Sequence, residues 1–197
     1  MRIYAIIAAM WFISVGVTCA DGTSSLSPDD LIWEPGSFEP TVDLGCIDAS
    51  DAPATLTPPD LALGVGSCIK VGDYGRAVEL FFLMRIRGAY DVMRVADETA
   101  HLGVIMLPQS ALADATPAEV AQMEGAIEQF LVAGSPRIVA FCAALRVAGP
   151  PDYAPVYMIL NGKAARNGIV GDGLLPGFDP RTAWQSLLFK QMECRIK

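Results

Sequence analysis

The chain of 197 residues contains one histidine and five cysteines, and these residues limit the chemistry that it can perform. Any Ser-His-Asp or Cys-His catalytic site would have to use His101 as its base. His101 lies between Ala100 and Leu102 at the expected start of a packed helix, and no esterase, zinc-protease or phosphate-loop motif accompanies it. We therefore predict a structural histidine and a chain that is not an enzyme. The alternative is an enzyme that uses His101 and a carboxylate.

The acidic and cysteine residues form no recognisable metal or acid–base motif. Asp29-Asp30 and Asp97-Glu98 are adjacent pairs, so on a helix their side chains point in different directions and are expected to be solvated. Asp172, between two glycines, resembles a fragment of a calcium loop that lacks its spaced acidic companions. The cysteine spacings contain no Cys-x-x-Cys knuckle of a zinc site. The sequence predicts no metal and no cofactor.

Residues 1–20 have the organisation of a secretory signal peptide. Arg2 forms a short basic start, residues 3–17 are apolar and uncharged, and small residues follow, so cleavage is expected after Ala20. An uncleaved anchor and a lipoprotein modified at Cys19 are the alternatives, although the residues before Cys19 fit a lipobox poorly. We expect a periplasmic protein with no membrane span in the mature chain.

Removal of this leader leaves four cysteines. An even number in an exported chain favours disulfides, and four cysteines allow three pairings. The pairing that we favour joins Cys46 to Cys68 and Cys142 to Cys194. The first bond would tie an irregular N-terminal arm to the first helix, and the second would fasten the last helix to the body.

The composition indicates one globular domain and limits its partners. Hydrophobic residues make up 52% of the chain and charged residues 18%, which is enough to bury one sizeable core. The formal net charge is −8, from 22 acidic and 14 basic residues. This balance argues against a nucleic-acid backbone or an anionic membrane surface as the main partner, because both attract cations.

Four helix starts of one kind predict an all-α domain. In each, a residue that caps helices stands directly before a proline suited to the first helical turn. The capping residues are Thr57, Thr116, Ser135 and Asp179. Residues 21–56 are rich in Ser, Pro, Asp and Gly, which predicts an irregular arm lying on residues 57–197, the helical domain, through Leu31, Ile32, Trp33 and Phe38.

Apolar residues at helical spacing follow these starts. Two core stripes are expected, comprising Val120, Met123, Ile127, Phe130 and Leu131 in one helix and Ile138, Val139, Phe141, Cys142 and Leu145 in the next. Between residues 74 and 107 an evenly apolar stretch predicts a central helix. A buried strand at 80–84 is its rival, but the length and the lack of β-branched residues favour helix.

The segment Gly72-Asp73-Tyr74-Gly75-Arg76-Ala77-Val78-Glu79-Leu80-Phe81 resembles the second-helix start of a tetratricopeptide unit. Continued through Ala100-His101-Leu102-Gly103, the spacing is more similar to a Sel1-type repeat, whose next helix would open there. The resemblance covers residues 62–103. No second copy follows, so it implies one helical hairpin within a compact bundle rather than a superhelical array.

A long loop near the C-terminus is the candidate binding surface. Residues 162–178 are rich in glycine and separate a short helix ending at Asn161 from the capped helix at Asp179. Long ordered loops are often functional, although these residues could merely cover the core. The candidate partner-binding residues are Tyr153, Tyr157, Asp172, Leu174 and Phe178.

The general plan, from the Cys68 hairpin to the final Cys194 helix, is similar to small periplasmic proteins of Gram-negative bacteria. It is similar in style to immunity proteins that protect a cell against its own secreted antibacterial effectors, including phospholipases. This resemblance implies a stoichiometric inhibitor that docks an acidic face or the 162–178 loop against a toxin. A helical scaffold that binds envelope partners in a groove of the hairpin is a further alternative.

Overall fold

The computed structural model describes residues 33–168, 171–192 and 194, and within these residues the regular structure is helical. The α-helices are α1 (Pro58–Lys70), α2 (Tyr74–Arg94), α3 (Met106–Ala111), α4 (Pro117–Phe130), α5 (Pro136–Ala148), α6 (Val156–Ile159), α7 (Lys163–Arg166) and α8 (Pro180–Met192). Two 3-10 helices span Ala49–Asp51 and Glu98–Ile105. The predicted all-α fold is confirmed.

The four predicted helix starts are confirmed at the level of their hydrogen bonds. Thr57 and Thr116 each form a full capping box with the acidic residue three positions later. The Ser135 hydroxyl accepts from the backbone N–H of Ile138, and the Asp179 carboxylate accepts from two backbone N–H groups at the start of α8. These local signals therefore determine where α1, α4, α5 and α8 begin.

Helix α2 lies at the centre of the molecule. It packs against α1, α3, α4, α8 and the longer 3-10 helix, and Leu80, Met84, Ile86 and Tyr90 are almost completely buried. The alternative of a strand at 80–84 is wrong. The two outer stripes are only partly buried: Leu131 of the α4 stripe and Val139 of the α5 stripe are exposed. Helix α4 packs on α2, whereas α5 packs on the 3-10 helix Ala49–Asp51 and on α8, and both helices face solvent on the other side.

Helices α1 and α2 form a hairpin around the three-residue turn 71–73. Gly72 adopts a φ of 75°, a left-handed conformation that favours glycine. The resemblance to a Sel1-type repeat predicts a helix that opens at Ala100. Residues 98–105 form a 3-10 helix instead, and the α-helix begins only at Met106. The hairpin is present, while its relation to tetratricopeptide or Sel1 units stays a prediction.

The arm before α1 is mostly irregular, and a buried carboxylate fastens it. Asp60, with no exposed surface, accepts from the backbone N–H groups of Thr41, Val42 and Thr57. Phe38 also contacts the helical body, since its ring packs edge-on against that of Tyr157 with 6.0 Å between the ring centroids. Trp33 lies against Phe38, whereas Leu31, Ile32 and residues 1–20 lie outside the described residues.

Both favoured disulfides are present. Cys46 of the arm is bonded to Cys68 of α1, and Cys142 of α5 is bonded to Cys194, directly beyond α8. Disulfides persist in oxidising compartments, so they indicate an extracytoplasmic location. In the described part of the chain, we find no helix both long and apolar enough to cross a membrane.

Removing either disulfide is expected to lower the free energy of unfolding, because the unfolded chain regains the freedom of a closed loop. The sequence separations are 22 and 52 residues, for which chain entropy gives about 3 and about 4 kcal/mol. The variants are Cys46→Ala/Cys68→Ala and Cys142→Ala/Cys194→Ala, compared with the parent by urea unfolding. If Cys46→Ala/Cys68→Ala loses more unfolding free energy than Cys142→Ala/Cys194→Ala, the explanation by loop entropy is wrong.

Asp60 should make the arm acid-sensitive. Burial raises the pKa of Asp60, but hydrogen bonds from Thr57 and Thr41 outweigh it and the pKa lies below its ordinary value. The unfolded state therefore binds more protons near and below about pH 4, so this stabilisation is present above that pH and is lost as the pH falls through the folded pKa.

The variant Asp60→Asn tests this prediction. At pH 7 it is expected to unfold about 1–3 kcal/mol more easily, because donors that faced a carboxylate then face an amide. The difference from the parent should shrink as the pH falls below about 4. Asp43→Asn, at an exposed position of the same arm, is the control. A difference that stays constant down to pH 2 would show that Asp60 does not titrate in the folded protein as described.

Candidate functional site

The last turn of α2 carries a buried pair of opposite charges. Asp91 has no exposed surface and Arg94 is only 7% exposed. The residues are three positions apart on α2, so they share a helix face. The Arg94 Nε donates to Asp91 Oδ1 at 2.8 Å, and Arg94 Nη2 lies 2.7 Å from the same oxygen. The pair compensates two charges that would each be costly to bury alone.

Two tyrosines complete the coordination of Asp91. The hydroxyls of Tyr153 and Tyr157 each donate to Asp91 Oδ2 at 2.9 Å. Burial raises the pKa of both tyrosines well above its usual range, and the charge of Asp91 acts in the same direction. Both hydroxyls therefore remain protonated donors. They attach the segment before and within α6 to the end of α2.

Burial and the hydrogen-bonding neighbours of Asp91 shift its pKa in opposite directions. Burial raises the pKa of the carboxyl above its ordinary value, and Arg94 and the two tyrosine hydroxyls, which favour the ionised form, oppose that shift only in part. Three hydrogen bonds, from Arg94 Nε and the two tyrosine hydroxyls, engage both oxygens of the carboxylate, and Arg94 Nη2 adds an ion-pair contact. The group is thus arranged as a structural anion rather than as an open general base.

The guanidinium of Arg94 lies between two aromatic rings. Its central carbon is 5.0 Å from the ring centroid of Tyr90 and 5.0 Å from that of Tyr153. Although Nη2 is close to Asp91, its N–H bonds are not aligned with the carboxylate, and no acceptor among the described residues takes a hydrogen bond from this buried nitrogen. Arg94 therefore has its charge compensated but retains an unused donor.

The backbone beyond α2 pairs with the glycine-rich loop. Val95 and Leu174 form an isolated antiparallel bridge, the Leu175 N–H donates to the Arg94 carbonyl at 2.8 Å, and the Ala96 N–H donates to the Gly173 carbonyl at 2.9 Å. Gly173 has a φ of 70°, and a Cβ there would lie 2.7 Å from Ile159 Cδ1. Glycine is therefore required where the loop meets Ile159.

An open cleft of about 750 Å³ lies between this loop and the end of α2. Four of the five predicted partner-binding residues line it: Tyr153, Asp172, Leu174 and Phe178. Its other walls come from the end of α2, the proline-rich segment and the start of α8, namely Tyr90, Arg94, Pro150, Pro151, Asp152, Leu175, Pro176, Gly177 and Pro180. The tertiary structure thus brings most of the predicted residues to one place.

The fifth predicted residue, Tyr157, does not line the cleft, and this corrects its assignment as a partner-binding residue. Its side chain is 4% exposed, its hydroxyl is bonded to Asp91 and its ring packs against Phe38. It has almost no surface to offer to a partner in this fold. Its position inside α6, in a run of apolar residues, is the sequence signal that favours burial.

Residues 162–178, predicted as one long loop, contain more regular structure than expected. It contains α7, and the Asp97 carboxylate accepts from the backbone N–H of Ala164 at 2.7 Å. Asp97 also caps the 3-10 helix through Thr99, so the expectation that it is merely solvated is wrong, whereas Glu98 is exposed. Asp29-Asp30 lies outside the described residues.

The remaining candidates for chemistry have structural contacts. The His101 Nε2 lies 2.9 Å from the Val95 carbonyl, a contact that supports the interpretation of a structural histidine. Asp172 accepts from the backbone N–H of Leu174. Over the described residues, no group of three or more potential ligands could hold a metal ion.

Neither Asp91 nor Arg94 is among the residues predicted from the sequence. Their signal was the placement of Arg87, Asp91 and Arg94 at helical spacing on a helix expected to be buried on most faces. Charged residues on a buried face are normally paired or hydrogen-bonded. Arg87 follows the same rule, since it donates to the carbonyls of Leu56 and Ala52 in the arm.

A second hollow, of about 970 Å³, lies near the opposite end of α2. It is lined by the hairpin turn, α4 and the start of α5, including Val71, Gly125 and Arg137. Arg137 is held there by Glu79, with 2.7 Å between Nε and Oε1. This hollow is where the scaffold alternative would place a peptide.

Comparison with protein-family models, with curated proteins and with solved structures finds no match to the chain. The resemblances to tetratricopeptide units and to immunity proteins therefore stay predictions.

Removing either tyrosine donor should destabilise the Asp91 cluster. We expect Tyr157→Phe to lower the free energy of unfolding by about 1–3 kcal/mol, because a buried carboxylate loses a donor that water cannot replace. Tyr153→Phe should cost less, because Tyr153 is half-buried beside the open cleft and water can approach. Urea unfolding of both variants measures the difference. Equal losses would contradict the proposed difference in access to water.

Proposed function

We propose that the protein is an exported binding protein of the periplasm of a Gram-negative bacterium. More specifically, we propose that it is an immunity protein that neutralises a secreted antibacterial effector by stoichiometric binding, with phospholipases among the effector classes to test. The two disulfides support the location, and the acidic composition supports recognition of a protein with a basic surface. The phospholipase class rests on the resemblance in sequence plan.

One observation carries the proposal: an exposed apolar loop is held on a rigid base. Leu175 is 44% exposed and is followed by the exposed residues Pro176 and Gly177. Directly beside them, the backbone of Leu175 is bonded to α2 and the ring of Phe178 packs edge-on against Tyr90 at 5.6 Å. An apolar side chain presented from a fixed backbone can bind with little loss of conformational entropy.

The alternatives use other parts of the molecule. An enzyme would need His101, whose Nε2 contacts a backbone carbonyl. A scaffold would use the hollow at the hairpin turn, which lies about 30 Å away along a helix of 21 residues. This separation makes the binding surfaces distinguishable by substitution.

The variant Leu175→Asp tests the proposal, with Val71→Asp as its matched partner. Both replace an exposed apolar residue by a carboxylate, and Val71 is 70% exposed at the far end of α2. We expect Leu175→Asp to weaken binding of the effector at least about tenfold, because a charge enters an apolar contact, and Val71→Asp to have no effect. Binding is measured by calorimetry and protection by survival of cells that produce the effector.

Candidate effectors are those encoded beside this protein in its source genome. If none of them binds and the protein rescues no poisoned cells, the immunity proposal is wrong. If Val71→Asp abolishes binding while Leu175→Asp is tolerated, the hollow at the hairpin turn is the binding surface and the scaffold alternative replaces the proposal. Urea unfolding of both variants shows whether the fold is retained.

A further inference from the structure

The buried arginine in the cleft suggests an anion site at first sight, but the charges around it argue otherwise. The positive charge of Arg94 is already compensated by Asp91 at 2.7 Å. The other charged side chains that line the cleft are Asp152 and Asp172, and both are exposed. A ligand carboxylate or phosphate would meet these two acids without finding an uncompensated cation.

Arg94 offers no hydrogen bond to a ligand either. Its Nη2 has no aligned partner among the described residues, but this atom exposes almost no surface, so a ligand in the open cleft does not reach it. The electrostatic preference of the cleft is therefore set by Asp152 and Asp172.

The walls of the cleft suit an extended peptide. Its lining includes four prolines, Pro150, Pro151, Pro176 and Pro180, and the three aromatic residues Tyr90, Tyr153 and Phe178. Grooves lined by aromatic residues bind extended, proline-containing segments because such segments lose little entropy on binding. A volume of about 750 Å³ exceeds the needs of one side chain and is in the range of ligand sites.

From these features we propose that the cleft binds an extended, apolar or proline-containing segment of a partner that carries a lysine or arginine. The basic side chain pairs with Asp152 and Asp172, and apolar residues of the segment contact the walls of the cleft. The inference rests on the proposed use of this cleft as the docking surface. It adds the chemical class of the segment that enters.

The test is selection of binding peptides from a displayed library of random sequences on the purified protein with both disulfides formed. We expect enriched peptides to carry Lys or Arg next to apolar residues or proline. Their affinity should fall when the salt concentration rises, because the rim charges are exposed. In NMR spectra, the side-chain signals of Arg94 and the backbone amide signals of Leu174 and Leu175 should shift on binding.

Two double variants with the same change in net charge provide the control. Asp152→Asn/Asp172→Asn should weaken binding of the selected peptides about tenfold, since both acidic partners of the basic side chain are removed. Asn keeps an oxygen that can accept from the Leu174 N–H, as Asp172 does. Asp114→Asn/Glu128→Gln, at exposed positions outside the cleft, should leave the affinity unchanged.

Enrichment of acidic peptides, equal effects of the two double variants or the absence of any enriched peptide would each overturn the inference. So would shifts confined to residues 71–75 at the hairpin turn. The selection contains no effector, so a negative result removes the basic-segment inference and leaves the immunity proposal standing. Conversely, failure to protect cells removes the immunity proposal without altering the peptide result.

Discussion

Two opposite charges, Asp91 and Arg94, are buried together at the end of α2, and the architecture of the cleft depends on how they are satisfied. Neither could be buried alone without a penalty of several kcal/mol. The hydroxyls of Tyr153 and Tyr157 supply the remaining donors to Asp91, which fixes the segment around α6 against α2. Buried ion pairs add little net stability, so the main role that we assign to this cluster is to fix the position of the segment around α6 relative to α2.

Specific contacts also hold the arm and the chain beyond α8 on the helical core. Asp60 gathers donors from the arm, and the Cys46–Cys68 bond joins the same two elements covalently. At the other end, the Cys142–Cys194 bond holds the chain beyond α8 against α5. Irregular segments that cannot form a helix are thereby held on a helical core, and they can carry a binding surface without being mobile.

The cleft illustrates why a buried arginine is not by itself an anion site. Its guanidinium is neutralised by Asp91 and enclosed by Tyr90 and Tyr153, so it has no uncompensated charge to offer to an anion. The exposed acids Asp152 and Asp172 then set the electrostatic preference of the opening. Specificity for a partner would arise from apolar contacts with the walls and from charged contacts with these acids, whose long-range attraction also accelerates association.

Local sequence signals were enough to predict the all-α class and the starts of α1, α4, α5 and α8, because capping hydrogen bonds are local. They also indicated four residues that line the cleft. The even cysteine count left three disulfide pairings open, and the folded structure shows the favoured one. The burial of Tyr157, the two segments capped by Asp97 and the pairing of residues 94–96 with 173–175 are likewise visible only in the fold. These outcomes depend on contacts between positions more than 60 residues apart, as between Asp97 and Ala164, and no local pattern encodes such a distance.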